Sequence, residues 1–254
     1  LKAVADAGSV LRAHVEGWSE DSRELAVVAD ACAAEGFRPV TPPRSYAHTL
    51  WIDLGPAEEQ LLASFSRSCR LNITATARKG FEVRPVRDEK LAHRLRELHQ
   101  ASFARTGGSA PHVDWAAAIR ASASHPDLVR IEGLHPVHEG DSNLIAFAMA
   151  FNHGDVAEYG FAGSERVATA NIPLLYAPVW SLMRWARGLG ARWWDFGGVP
   201  SPESGQADPR AGIADFKRYF GGTVVSVGSE WVYQPRPVLG RMAAWLGAAA
   251  RRKS

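Results

Sequence analysis

Apolar residues recur along this chain at two spacings, and the places where one gives way to the other mark its elements. Helical spacing opens the sequence at Val4, Ala7 and Leu11, and returns over 22–34, where Leu25, Val28, Ala29 and Cys32 share a face that ends at Gly36. Residues 10–15 between them read as a strand, and 37–44 as a proline-rich connection. The run TLWIDL at 49–54 alternates as a half-buried strand. Pro56 then starts a helix expected to reach Gly80, with Glu58 and Glu59 placed to suit its dipole.

Beyond Gly80 the spacing predicts a strand over 81–86, a helix over 89–105 with Leu91, Leu95, Leu98 and Phe103 inward, and a helix over 113–123. Strands follow near 128–131, 143–152 and 156–162, then a long helix over 173–189. Strand alternation over 156–162 places Tyr159 and Phe161 on one face and Glu158 and Gly160 on the other. The last stretch reads as a buried strand at 191–196, a Gly197-Gly198 turn, a polar loop, a short amphipathic helix over 212–220, a Gly221-Gly222 turn and one long strand over 223–233.

Composition narrows the class. With 254 residues, 46% of them hydrophobic, and a net charge of +2, the chain can bury one large core or two modest ones. No apolar run approaches the roughly eighteen residues of a membrane span and no secretory leader opens the chain, so a cytoplasmic location is expected, with the inner face of the membrane as the alternative. Cys32 and Cys69 lack metal or redox spacing and read as reduced and structural. The nine histidines show no metal-binding pattern, and His135 and His138, in a stretch bounded by Pro and Gly, read as surface residues. Scattered charges argue against a general nucleic-acid coat. One helix is locally basic, however: Arg67, Arg70, Arg78 and Lys79 fit either a solvated face or a phosphate-facing surface.

The element order β-α-α-β-β-β-α-β-α-β is that of a GNAT-type acyltransferase domain, α/β (α+β) with a mixed central sheet flanked by helices. Particular residues extend that likeness. The strand at 49–54 followed by Arg70-Leu71-Asn72-Ile73, Ala77 and Gly80; Tyr159 with Ala162-Gly163-Ser164; Trp185-Ala186 ahead of Gly190; Trp194-Asp195-Phe196-Gly197-Gly198; and Phe216-Lys217 with Phe220-Gly221-Gly222 resemble the Fem family, in the same order and over most of the chain. The resemblance implies a partial first GNAT-like domain over 1–80, a complete second one over 81–234, and a C-terminal helix over 235–254 that packs back on the first. The short first domain, and an opening on Leu1 rather than Met, suggest sequence missing upstream.

The family transfers an amino acid from aminoacyl-tRNA to an amine, usually on a cell-wall precursor. Ester aminolysis passes through a tetrahedral oxyanion, which calls for a positive charge and a path for the amine's proton. Lys217 is the first candidate for that charge; the matching family lysine is implicated in binding and in stabilising it, and Phe216 in packing the RNA acceptor end. An exposed lysine on an amphipathic helix is the plainer alternative. Asp195 acts on the amine proton or caps the Gly197-Gly198 turn, the second being favoured. Arg105, Tyr159, Arg70 and Tyr176 complete the substrate-binding candidates. Arg105 fits precursor phosphates or a helix C-terminus equally well, and Tyr159 fits the splayed strands of a GNAT site or the core.

Acetyl-CoA is the alternative donor. Residues 164–173 lack the glycines that let backbone amides approach a pyrophosphate, which counts against it. A non-catalytic binding module is the third reading. Expected partners are the aminoacyl-tRNA acceptor end and a precursor or small amine, with no cofactor or metal; a monomer is expected. The amphipathic tail at 237–254 either contacts anionic membrane or packs on the body, the second being favoured.

Overall fold

The computed structural model describes residues 2–7, 10–19, 21–40, 47–105, 108–138, 143–166, 173–200 and 211–235. The expected C-terminal helix, most of the loop after Pro200 and most of the stretch compared with a CoA-binding turn lie outside these residues. By contacts the chain forms two units: Leu50–Gly197 with Pro202–Val224, and Leu1–Thr49 with Gly198–Ser201 and Val225–Ser254.

The smaller unit holds helix α1 (Lys2–Ala7), strand β1 (Ala13–Trp18), helix α2 (Ser22–Ala34) and the two-residue strand β2 (Arg38–Pro39). Asp21 accepts from the Arg23 amide to cap α2, and Gly36, at φ 81°, takes the left-handed turn that ends it. The last strand among the described residues, given below, lies between β1 and β2.

The larger unit is built on a seven-stranded sheet. Strand β3 (His48–Asp53) is followed by two helices, α3 (Glu58–Ser64) and α4 (Arg67–Arg78), where sequence spacing predicted one. The break is local: Phe65 is extended at ψ 155° and fully buried, and Ser66 caps α4 by accepting from the Cys69 amide at 3.2 Å. Next come β4 (Phe81–Pro85), a 3-10 turn, α5 (Ala92–Arg105), α6 (Trp115–Ser124), β5 (Val129–Pro136), β6 (Ala146–Asn152), β7 (Val156–Ser164), α7 (Tyr176–Gly188), β8 (Trp193–Val199), α8 (Ala211–Arg218) and β9 (Thr223–Ser226). Spatial order is β4-β5-β6-β7-β8-β3-β9, with β4 to β7 antiparallel and β7 parallel to β8.

The mixed, helix-flanked sheet agrees with the GNAT-like expectation. One sheet face carries Val86, Ile131, Phe147 and Met149 against Leu95 and Leu98 of α5 and Trp115 and Ile119 of α6. On the other lie α7 and, packed on it, α4.

Three expectations are corrected. The single final strand is two: β9 belongs to the seven-stranded sheet and β10 (Gly228–Tyr233) to the three-stranded one, in the order β1-β10-β2. His135 lies on β5 and is only 2% exposed, rather than in a surface loop. Residues 50–80, read as the end of a first domain, fall within the larger unit, because β3 pairs between β8 and β9.

Candidate active site

The conspicuous chemistry gathers where β8 leads to α8. Asp195 lies mid-strand, and its Oδ1 accepts from the Gly197 amide at 2.6 Å while Gly197 turns at φ 70°. A carboxylate closing its own turn two residues on is a common use of Asp, and it is the role favoured from sequence. On α8, Lys217 is buried at 7% exposure, against the alternative of an exposed lysine. Burial pushes its ammonium down to about 8, and the Asp195 charge pulls it partly back up.

Aromatic rings wall the same helix. Phe220 is fully buried, with centroids 5.1 Å from Phe196, 5.3 Å from Phe65 and 5.4 Å from Tyr176. Phe216 packs 5.1 Å from Tyr176, so these two candidates meet on α8 and α7. Burial pushes the Tyr176 hydroxyl up to about 12, with Cys69 and Tyr219 adding to the effect, and the Cys69 thiol is itself pushed up to about 12 by burial. Both groups are therefore neutral donors at ordinary pH.

The glycines of the Phe220-Gly221-Gly222 turn have a steric cause. Gly222 stands at φ 89°, and a Cβ there would come within 2.4 Å of the Trp51 carbonyl oxygen on β3. No side chain fits between α8 and that strand.

The strands beside this helix part. β7 and β8 pair only through Val156–Trp193, Ala157–Trp194 and Glu158–Asp195, although β7 continues to Ser164 and β8 to Val199. Beyond Glu158 and Asp195 the two strands no longer pair with each other. The first residue of β7 past its pairing with β8 is Tyr159, and its placement corrects the alternation expected from sequence. A bulge opposite Met149 and Ala150 leaves Gly160 as the extra residue, so Tyr159 pairs with Ala150 and Phe161 with Met149. Phe161 consequently joins His99 and Trp115 on the α5 face, while Tyr159 turns to Trp194 at 6.4 Å and Phe196 at 5.6 Å. Burial raises the Tyr159 hydroxyl as well.

A continuous path of rings thus joins Tyr159 through Phe196 and Phe220 to Phe216 and Tyr176. Arg105 and Arg70 are engaged differently. Arg105 donates to the Ser164 carbonyl at 2.8 Å and to the Ser102 hydroxyl at 2.8 Å, tying the end of α5 to the end of β7. Its pKa is lowered by burial and then by Arg166, which marks two cations near one strand end. Arg70 donates to the carbonyls of Ala63 and Phe65, bracing the break between α3 and α4.

Sequence reasoning missed Tyr219, Phe65 and Arg166. Tyr219 and Phe220 follow Phe216 at i+3 and i+4, a spacing that brackets Lys217 with rings. Phe65 was hidden by reading one helix where there are two. Among the described residues there is no cluster of His, Cys, Asp and Glu suited to a metal ion, and no helix long and apolar enough to cross a membrane.

Residues 129–246 match the model of the FemAB family. No curated protein matches the sequence. Among solved structures, FemX is similar with a TM-score of 0.69 at 14% identity, covering 95% of this chain and 76% of that one. L-PGS from Bacillus licheniformis is similar with a TM-score of 0.56 at 14% identity, covering 89% and 70%.

Proposed function

On the premise that the chain is a Fem-family protein of GNAT-like fold, we propose that it is an aminoacyltransferase moving an amino acid from aminoacyl-tRNA to an amine of a peptidoglycan precursor or a related peptide or nucleoside acceptor. The observation carrying this reading is a buried lysine beside a carboxylate and a wall of aromatic rings, next to two strands that have parted.

The step is ester aminolysis. The acceptor amine attacks the carbonyl carbon of the ester linking the amino acid to the terminal ribose, forming a C–N bond and a tetrahedral oxyanion. Lys217, protonated below about 8, stabilises that negative charge. Its burial reduces solvent screening of that interaction. Collapse breaks the C–O bond to the ribose, and the proton lost by the amine ends on the ribose oxygen as it leaves as a hydroxyl. Asp195 is a positioning residue: its carboxylate closes the Gly197 turn and supports the charge of Lys217.

Phe216, half-buried and packed on Tyr176, offers a ring face to a substrate, and Tyr176 and Tyr159 carry hydroxyls on the same path of rings. Such faces suit the unpaired bases of an RNA 3′ end, because every base has a π-face. Two cations, Arg105 and Arg166, near the end of β7 support an anionic acceptor in this reading.

The test incubates the full chain with a panel of charged tRNAs and amine acceptors, with acetyl-CoA as donor in parallel. Transfer from charged tRNA that falls by about 100- to 1,000-fold in Lys217→Ala supports the reading. Turnover from acetyl-CoA alone moves the protein to the ordinary GNAT chemistry. Turnover from neither donor leaves a binding module.

A further inference from the structure

Helix α4 presents to solvent a stripe that neither the fold nor the proposed chemistry uses. Arg67, Leu71, Thr74 and Arg78 lie at i, i+4, i+7 and i+11, and all four are exposed, Leu71 at 51%. Lys79 follows at the helix end. From Phe65 to Gly80 the sequence contains four basic residues and no acidic one.

Several other cations of this unit are engaged, whereas those of the stripe are not, among the described residues. Arg94 pairs with Glu165, Arg120 with Glu89, Arg184 with Glu58 and Arg218 with Asp215, and Arg70 is held by carbonyls. No salt bridge involves Arg67, Arg78 or Lys79 among the described residues. Arg78 and Lys79 suit the negative end of the helix dipole. Arg67 does not: a cation at the first residue of a helix opposes the dipole, with no salt bridge to offset it.

The stripe leads to the candidate site. The Ser66 amide, immediately before Arg67, donates to the Tyr219 carbonyl at 2.9 Å, two residues past Lys217, and Phe65 packs on Phe220. From there to Arg78 the helix runs about 16 Å. Resting on the reading of Lys217 as an aminoacyl-ester site, we propose that this stripe is the docking surface for the phosphate backbone of the donor RNA's acceptor stem.

Charge and direction both fit that occupant. A 3′ end whose terminal ester lies at Lys217 leads back to paired phosphates within a helix length, and guanidinium forks match phosphate oxygens. An anionic membrane fits less well. An interfacial helix inserts a broad apolar face, whereas Cys69 and Thr76 of α4 are buried and the helix packs on α7 and β4, leaving Leu71 as the one large apolar side chain on the stripe.

The experiment compares wild type with Arg67→Ala/Arg78→Ala using two donors, a full charged tRNA and a short oligonucleotide bearing the same amino acid on its 3′ end. The expected result is roughly a tenfold lower kcat/KM for charged tRNA at moderate salt, and a log–log salt dependence shallower by about 2, with the short donor unchanged within about twofold. Unchanged tRNA kinetics, or an equal loss on both donors, overturns the proposal. So does loss of flotation with phosphatidylglycerol vesicles in the variant while tRNA kinetics hold. Uncharged tRNA binding, measured in parallel, keeps the two readings apart. If no charged RNA is turned over but the variant binds uncharged tRNA more weakly with the same change in salt slope, the surface stands and the reading of Lys217 falls. If binding is also unchanged, the surface falls.

Discussion

An ammonium group lowered to about 8 sits where modest changes in pH alter its charge. Because the charged form is the one that stabilises an oxyanion, transfer is expected to fall as pH rises through about 8. Lys217→Arg, which cannot lose its charge in this range, should hold its lower activity flat across that limb. Asp195→Asn keeps an oxygen for the Gly197 amide but removes the charge that raises Lys217, so it should move the falling limb to lower pH. A pH–rate profile of the three proteins checks this; superimposable profiles contradict it. Folding responds with its own sign. The unfolded lysine, near 10.5, holds a proton that the folded one has lost between about 8 and 10.5, so stability should rise with pH across that window.

A second buried titratable group lies on the opposite face of the sheet. His99 is 1% exposed among Phe103, Trp115 and Phe161, its Nε2 has no hydrogen-bond partner, and burial lowers its pKa. Unfolding lets it take up a proton below 6.5, so stability should fall as pH drops through that value, by up to about 1 kcal/mol per unit. Urea unfolding at pH 7 and pH 5 should show that loss in wild type and a smaller one in His99→Phe. Equal losses would show that His99 is not the group responsible.

At the scale of elements, glycines set the geometry around the candidate lysine. A Cβ at Gly222 meets the Trp51 carbonyl oxygen at 2.4 Å, with φ at 89°. Gly222→Ala should therefore cost at least about 2 kcal/mol and displace α8. Gly80→Ala, at φ 78° with nothing within 4 Å, should cost only its backbone strain, about 1 kcal/mol. Chemical denaturation of the pair separates crowding from conformation, and equal losses would deny the close approach of α8 to β3.

The same elements show what the sequence could carry. The helix and strand order from β4 to α8 was legible because long periodic runs have a single low-energy reading. The break at Phe65 was not, since Ser66 caps a helix that the same apolar spacing also continues. The bulge at Gly160 was hidden too. Alternation assumes an unbroken ladder, and one extra residue against Met149 and Ala150 sends Tyr159 to the other face. Asp195, Phe216 and Lys217 were legible as a motif. The burial of Lys217 was not, because the rings packed around its helix come from Phe65, Tyr176 and Phe196, far away in sequence.

Across the molecule, the seven-stranded sheet supplies a parting between β7 and β8, and α8 sets a buried cation beside it. The fold alone serves many acyl transfers. What would separate them is the donor. The proposed RNA ester, rather than a thioester, rests on the lack of glycines over 164–173 and on the rings beside Lys217. The most direct test is the single-turnover rate of amino-acid transfer from charged tRNA to an amine acceptor, for wild type and Lys217→Ala at pH 7. The expected result is measurable transfer by the wild type and a rate lower by about 100- to 1,000-fold in the variant. Equal rates, or transfer from acetyl-CoA and from no charged tRNA, would contradict the assignment.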